Sequence, residues 1–208
     1  VLTVVNSKTA PKIRRIYEQY RKLGFCWQQY IACLDPIGKL QGEKEFSLTP
    51  ELYGNFLIEL FELWEIDLKQ GKQPYIRQFE NYISILLGYM PEACEQRGIC
   101  SFQNVVEADG SVYPCDFYVL DEYNLGNLNE NSFEEIQKKR NAIQFVENSC
   151  NHLSECKECE YFFICRGGCR KHRDNMGVMD GKNRFCQSYR MFFDACLSRM
   201  VEISKRCR

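Results

Sequence analysis

Three shortages narrow what this chain can be. Its net charge is −1, so no basic surface argues for nucleic acid or an anionic membrane as partner. It holds no apolar run near the ~20 residues that span a bilayer, and no secretory leader is visible, which makes the cytoplasm the expected location. Its two histidines, His152 and His172, have no ligand partner in the sequence around them. Repeats and low-complexity segments are missing too, while 45 % hydrophobic residues in 208 support a true core. The chain is expected to be globular, with room for one large domain or two small ones. It begins inside a β-rich run, VLTVV, with no initiator methionine, and reads as a piece of a longer protein.

Cysteine is what the sequence has in excess. Thirteen is an odd number in a chain of this size, which argues against a disulfide framework and for metal-bound thiolates in a reducing compartment. Eight fall into two interlocking sets: Cys94, Cys100 and Cys115, then Cys156, Cys159, Cys165, Cys169 and Cys186. The second set reads C-x2-C-x5-C-x3-C with a later cysteine, a spacing that lets thiolates converge on soft metal ions or iron-sulfur clusters. Eight suit two four-thiolate centres. Spacing alone leaves structural zinc open as the occupant. Cys26, Cys33, Cys150, Cys196 and Cys207 read as small buried hydrophobes or incidental thiols, with Cys150 close enough to Cys156 to be mistaken for a ligand.

The pattern changes near residue 91, giving expected segments 1–90 and 91–208. In the first, VLTVV is a strand, Pro11 opens a helix with Ile13, Ile16, Tyr17, Tyr20 and Leu23 at helical spacing, and Gly24 ends it. Phe25 to Cys33 is the next strand, which makes a βαβ unit of a parallel sheet. Two strands leave that sheet incomplete. Thr49-Pro50 starts a long helix closed by Gly71, and a further helix covers about Ile76 to Leu87. In the second segment Asp109-Gly110 signals a hairpin between Asn104–Val106 and Val112–Tyr113. Ser132 with Glu135 forms a capping box for a helix through about Val146. Gly167 and Gly168 let backbone approach a metal closely, and Gln187 to Lys205 closes the chain as a helix with Tyr189, Phe192, Phe193, Cys196, Met200 and Ile203 on one face.

Cys100 and Cys115 stand as C-x14-C with Gly110 five positions before the second, and the cysteine run follows; this resembles the SPASM domain of radical SAM peptide-modifying enzymes. The stretches CSFQNVVEADGSVYPCDFYVLDEYNLGNL, CRGGCRKHRD and CQSY are similar to the anaerobic sulfatase-maturating enzymes, which oxidise a cysteine or serine of a sulfatase to formylglycine. VVNSKTA and IACLDP resemble the later barrel strands of those enzymes, so the resemblance covers nearly the whole chain. It implies an α/β fold: the C-terminal part of a partial (β/α)6 radical SAM barrel, then a small α+β SPASM domain with two iron-sulfur clusters.

The resemblance also implies roles. Cys94, Cys100, Cys115 and Cys169 hold a first auxiliary 4Fe-4S cluster, and Cys156, Cys159, Cys165 and Cys186 a second, a crossed pairing that spacing does not give. Four thiolates per cluster leave no open iron, so the clusters are expected to relay electrons and not to bind substrate. Asp116 matches the family's general base; by position alone, an aspartate there caps a turn. Val4 and Leu34 match nucleoside-contacting positions, although apolar strand residues are usually core. Implied cofactors of the full-length enzyme are S-adenosylmethionine and a third 4Fe-4S cluster. Implied partners are a sulfatase peptide and a flavodoxin- or ferredoxin-type electron donor or acceptor.

The radical SAM signature C-x3-C-x2-C does not occur in these 208 residues, so the chain alone is expected to be inactive. Asp35 and Arg77 are candidates for contact with a substrate peptide at the barrel mouth, against the plainer expectation of an exposed ion pair. The alternatives are a SPASM maturase of another peptide, or a non-catalytic iron-sulfur or zinc module for electron transfer or binding.

Overall fold

A computed structural model describes residues 1–36, 42–174 and 181–207. Its first sheet follows from alternating burial. Strands β1 (Leu2–Val5) and β2 (Trp27–Ala32) run parallel, with Leu2 beside Gln29 and Val4 beside Ile31. Val5, Tyr30 and Ala32 are buried on one face, whereas Leu2 and Val4 are exposed on the other. A 3-10 turn at Ala10–Lys12 containing Pro11 leads into helix α1 (Ile13–Lys22), and Gly24, at φ 74°, turns the chain out of it. A third strand, β3 (Tyr75–Ile76), pairs parallel with β2, where the Tyr75 N–H donates to the Cys26 carbonyl at 2.8 Å. The helix expected from Ile76 therefore begins one residue later as α3 (Arg77–Leu86). Two residues are too few to show an alternation, so the sequence pattern merges them with the helix. The long helix α2 (Pro50–Lys69) is capped as expected, the Thr49 hydroxyl accepting from the Leu52 N–H at 3.2 Å.

The second segment starts with the helical turn α4 (Cys94–Arg97). Strands β4 (Val105–Val106) and β5 (Ser111–Tyr113) form the expected hairpin, with Gly110 at φ 89° in its turn. Strand β6 (Gly126–Asn127) adds antiparallel to β5, again too short for the sequence to signal. Helix α5 (Phe133–Ile143) opens on the capping box of Ser132 and Glu135. It stops short of Val146 because Gln144 takes a left-handed conformation, φ 49°, and a separate turn α6 (Phe145–Asn148) follows. Val112, Leu125 and Ile136 make a small core here. Three further turns, α7 (Ser154–Lys157), α8 (Phe162–Cys165) and α9 (Arg170–Arg173), carry the cysteine-dense stretch.

Helix α10 (Cys186–Arg206) crosses back onto α2 and α3. Gly54 permits the approach, since a Cβ there would lie 3.2 Å from the Ser188 Cα. One core results, running from Val5 to Ile85 and from Ile164 to Met200. At its centre the Phe192 ring meets Phe61, Phe79, Tyr82 and Phe193 at centroid distances of 6.0, 5.8, 5.9 and 5.4 Å. No described helix is long and apolar enough to cross a membrane.

Phe192 is fully buried among four rings. Phe192→Ala is expected to cost about 3–5 kcal/mol in chemical denaturation; a loss under about 1 kcal/mol would show that α10 is anchored elsewhere.

Candidate metal centres

Two cavities divide the eight cysteines. The first, about 290 Å³, is lined by Cys94, Cys100, Cys115 and Cys169, together with Gln29 and Ile31 from the open face of β2, Arg77, Glu95 and Asp116. The second, about 180 Å³, is lined by Cys156, Cys159, Cys165 and Cys186, with Tyr189 and Arg190. Local structure puts each thiol in place. Cys94 opens α4, Cys115 follows β5, Cys165 closes α8 and Cys186 opens α10. Cys169 leaves its own run because Arg166, Gly167 and Gly168 take φ 51°, 76° and 70° in succession, turning the chain away from Cys165. Asn183 braces that turn, its side-chain amide donating to the Gly167 carbonyl at 2.9 Å.

The donor set fits thiolate-held clusters. Desolvation pushes the Cys115 and Cys165 thiols up to about 12 and raises Cys169 well above the usual thiol value, so these groups stay protonated until a metal displaces the proton. Backbone N–H groups of Phe117, Gly167 and Lys171 meet the sulfurs of Cys115, Cys165 and Cys169, the kind of contact that tunes cluster potentials. Electrostatic influence runs from Cys169 to Cys94 and Cys100, and from Cys165 to Cys156, Cys159 and Cys186. Among the described residues no three His, Cys, Asp or Glu side chains are gathered tightly enough to hold a single ion.

Other candidates fall in varied places. Asp116 is exposed at the first cavity, its carboxylate 3.4 Å from the Cys115 sulfur. Val4 lies on the open sheet face, and Leu34 packs partly buried against the main core. Arg77 pairs with Glu92 at 2.8 Å on the cavity rim. Asp35 corrects the expectation of an exposed pair, for it is 2 % exposed. Burial alone would raise its carboxyl, but the Ser47 hydroxyl at 2.6 Å, the Gly42 N–H at 2.8 Å and the Arg184 charge hold it below the usual carboxylate range. It clasps the loop after β2. Cys196 is buried in the core, while Cys26, Cys150 and Cys207 are exposed, and none of these four lines either cavity.

Sequence reasoning missed the groups between the cavities. Tyr189, from the wall of the second, donates its hydroxyl to Glu95 in the first at 2.6 Å. His172 is buried with its Nδ1 3.7 Å from the same carboxylate. Ser149 accepts the Cys100 N–H at 2.9 Å. No spacing rule links residues so far apart in the chain.

Gly98 lies between Cys94 and Cys100, at φ 70°, where an added Cβ would stand 1.9 Å from the Arg166 carbonyl oxygen. The two ligand-bearing loops thus touch backbone to backbone. Gly98→Ala is expected to destabilise the chain by at least about 2 kcal/mol in chemical unfolding, because strain and a main-chain clash combine. A change below about 0.5 kcal/mol would mean that the loops separate freely.

Comparisons with known proteins bear on the family and the fold. The profile of the iron-sulfur cluster-binding SPASM domain matches residues 94–160. A cysteine-type anaerobic sulfatase-maturating enzyme of Clostridium novyi is 41% identical over 206 residues, covering 99% of this chain and 55% of the relative. One from Clostridium perfringens is 38% identical over 209 residues, with 100% and 56% covered. A solved structure described as native anSMEcpe with bound AdoMet and Cp18Cys peptide superposes with a TM-score of 0.93 at 38% identity, over 100% of this chain and 58% of that one. The chain spans about half the length of the curated relatives it matches, and over that span it is similar to anaerobic sulfatase-maturating enzymes.

Proposed function

We propose that this chain is the electron-relaying and proton-accepting part of an enzyme that oxidises a sulfatase cysteine to Cα-formylglycine. The observation that carries the reading is the division of eight thiols into two cavities of four, with a carboxylate at the first. A cysteine target is favoured because the cysteine-type relatives share 41% and 38% identity, against 32% for a serine-type relative from Bacteroides thetaiotaomicron.

Cys94, Cys100, Cys115 and Cys169 would hold one 4Fe-4S cluster, and Cys156, Cys159, Cys165 and Cys186 the other. In the whole protein S-adenosylmethionine and its own cluster supply removal of a hydrogen from the substrate Cβ, and the clusters held here supply an acceptor for the electron that follows. Asp116 takes the proton of the substrate thiol on a carboxylate oxygen, and its place directly after Cys115 in the chain keeps that oxygen beside the first cavity. Val4 meets the nucleoside from the open sheet face, and Leu34 from the segment after β2. The peptide enters beside Arg77, and a flavodoxin- or ferredoxin-type protein exchanges electrons with the second centre.

Anaerobic reconstitution is expected to load about eight irons and eight sulfides per chain, as two 4Fe-4S clusters require. Zinc bound without sulfide would overturn the cluster reading. Cys169→Ala should abolish the same spectroscopic centre as Cys94→Ala and leave that of Cys156 and Cys186 intact; a match to Cys156→Ala instead would reverse the pairing.

Asp116→Asn keeps the size of the side chain and removes its basicity. In the full-length enzyme it should leave cluster content and 5′-deoxyadenosine production in place and lower formylglycine formation about 10²- to 10⁴-fold. Aldehyde formation at the wild-type rate would reduce Asp116 to a neighbour of Cys115.

A further inference from the structure

The residues that follow Cys169 are unusual for an interior. Arg170, Lys171, His172 and Arg173 form α9 and are 5, 7, 5 and 3 % exposed. Buried Lys and Arg are rare, since burial of a cation without compensation is costly. Arg170 lines the first cavity, donates to the Phe145 carbonyl at 2.7 Å and sits over the Phe145 and Tyr118 rings at 4.3 and 5.2 Å. Arg173 donates to the Ser149 carbonyl at 2.7 Å and the Gly98 carbonyl at 3.3 Å, in the two segments that carry and brace Cys100. Lys171 has Cys169 among its electrostatic partners, and Cys100 has both arginines among its own.

The second cavity is lined differently. Its cations, Lys182 and Arg190, are 57 and 53 % exposed in their side chains and pair with Glu155 and Glu160, each at 3.5 Å. Solvent and those carboxylates screen them. Glu95 and Asp116 at the first cavity and Asp174 beside α9 equal Arg170, Lys171 and Arg173 in formal charge, but Asp116 is exposed and screened by solvent, whereas Arg170 lines the cavity and acts through low-dielectric interior, where a charge is felt more strongly.

We propose that α9 poises the two centres: its buried cations raise the reduction potential of the first centre relative to the second, which makes the first the better electron acceptor. This rests on the cluster reading above. A 4Fe-4S cluster with four thiolates is an anion, and its reduction adds one electron and breaks no bond, so nearby fixed positive charge favours the reduced state. The same attraction favours Arg170, Lys171 and Arg173 in the interior. Arg170, Lys171 and Arg173 are positioning residues, acting through the field they impose.

The test is an EPR-monitored redox titration of the reconstituted chain with dithionite, the two signals being assigned with Cys94→Ala and Cys156→Ala. Arg170→Gln removes the charge and keeps a donor for the Phe145 carbonyl. It should make reduction of the first centre about tenfold less favourable, about 59 mV for a one-electron couple, with the second centre unmoved. Arg170→Lys, which keeps the charge, should restore most of the difference. Lys171→Met serves as the second probe, because no backbone group among the described residues accepts from its ammonium, and should shift the first centre in the same direction. Potentials unchanged in Arg170→Gln and Lys171→Met, or moved equally at both centres, overturn the inference while leaving the clusters in place. Zinc in the wild-type chain overturns the cluster reading itself, and this inference with it.

Discussion

The packing of α10 against α2 sets where both cavities stand. The N-terminal turns of α10 present Cys186 and Tyr189 to the second cavity, while the middle of the helix is locked into the aromatic core by Phe192 and Phe193. From that fixed position the Tyr189 hydroxyl reaches Glu95, the neighbour of Cys94. A rigid helix buried over several turns therefore holds one thiol directly and another through a single hydrogen bond. The loops that carry the remaining thiols have little apolar core of their own and depend on this frame.

Within that frame the ligand loops are fixed by contacts to backbone groups as well as by the burial of Ile164. Gly98 meets the Arg166 carbonyl, and Asn183 holds the turn at Gly167. Such contacts place thiols with precision but leave them protonated and desolvated. Loading of the cavities and completion of the fold are coupled for that reason: metal binding releases protons that burial has made hard to lose, and its free energy adds to folding.

The first cavity is also where the two parts of the chain face each other. The helix-covered face of the first sheet is closed by Tyr30 against Phe56, and the opposite face offers Gln29 and Ile31 to the cavity that holds Asp116 and four thiols. A strand alternates its side chains between faces. One strand thus contributes to both the core and the site, Tyr30 and Ala32 being buried in the core while Gln29 and Ile31 come from the open face.

Much of the chain was legible in the sequence because its signals are local. The caps at Thr49 and Ser132, the hairpin at Asp109-Gly110, the apolar stripe of α10 and the cysteine spacing each lie within a few residues and survive without knowledge of the fold. Strands β3 and β6 were not legible, being two residues long and defined by their partners. Asp35 reads as surface in sequence and becomes interior because a loop, Ser47 and Arg184 close over it. The grouping of Cys169 with Cys94, Cys100 and Cys115 around one cavity is the deepest case. Residue spacing measures distance along the chain, whereas a cavity is made by distance across it; three left-handed residues after Cys165 and the docking of α10 bring Cys169 to thiols that the sequence places some seventy residues away. The sequence by itself determined which atoms are available to hold a metal, and tertiary structure decided which of them share a cavity, because only packing closes the loops between them.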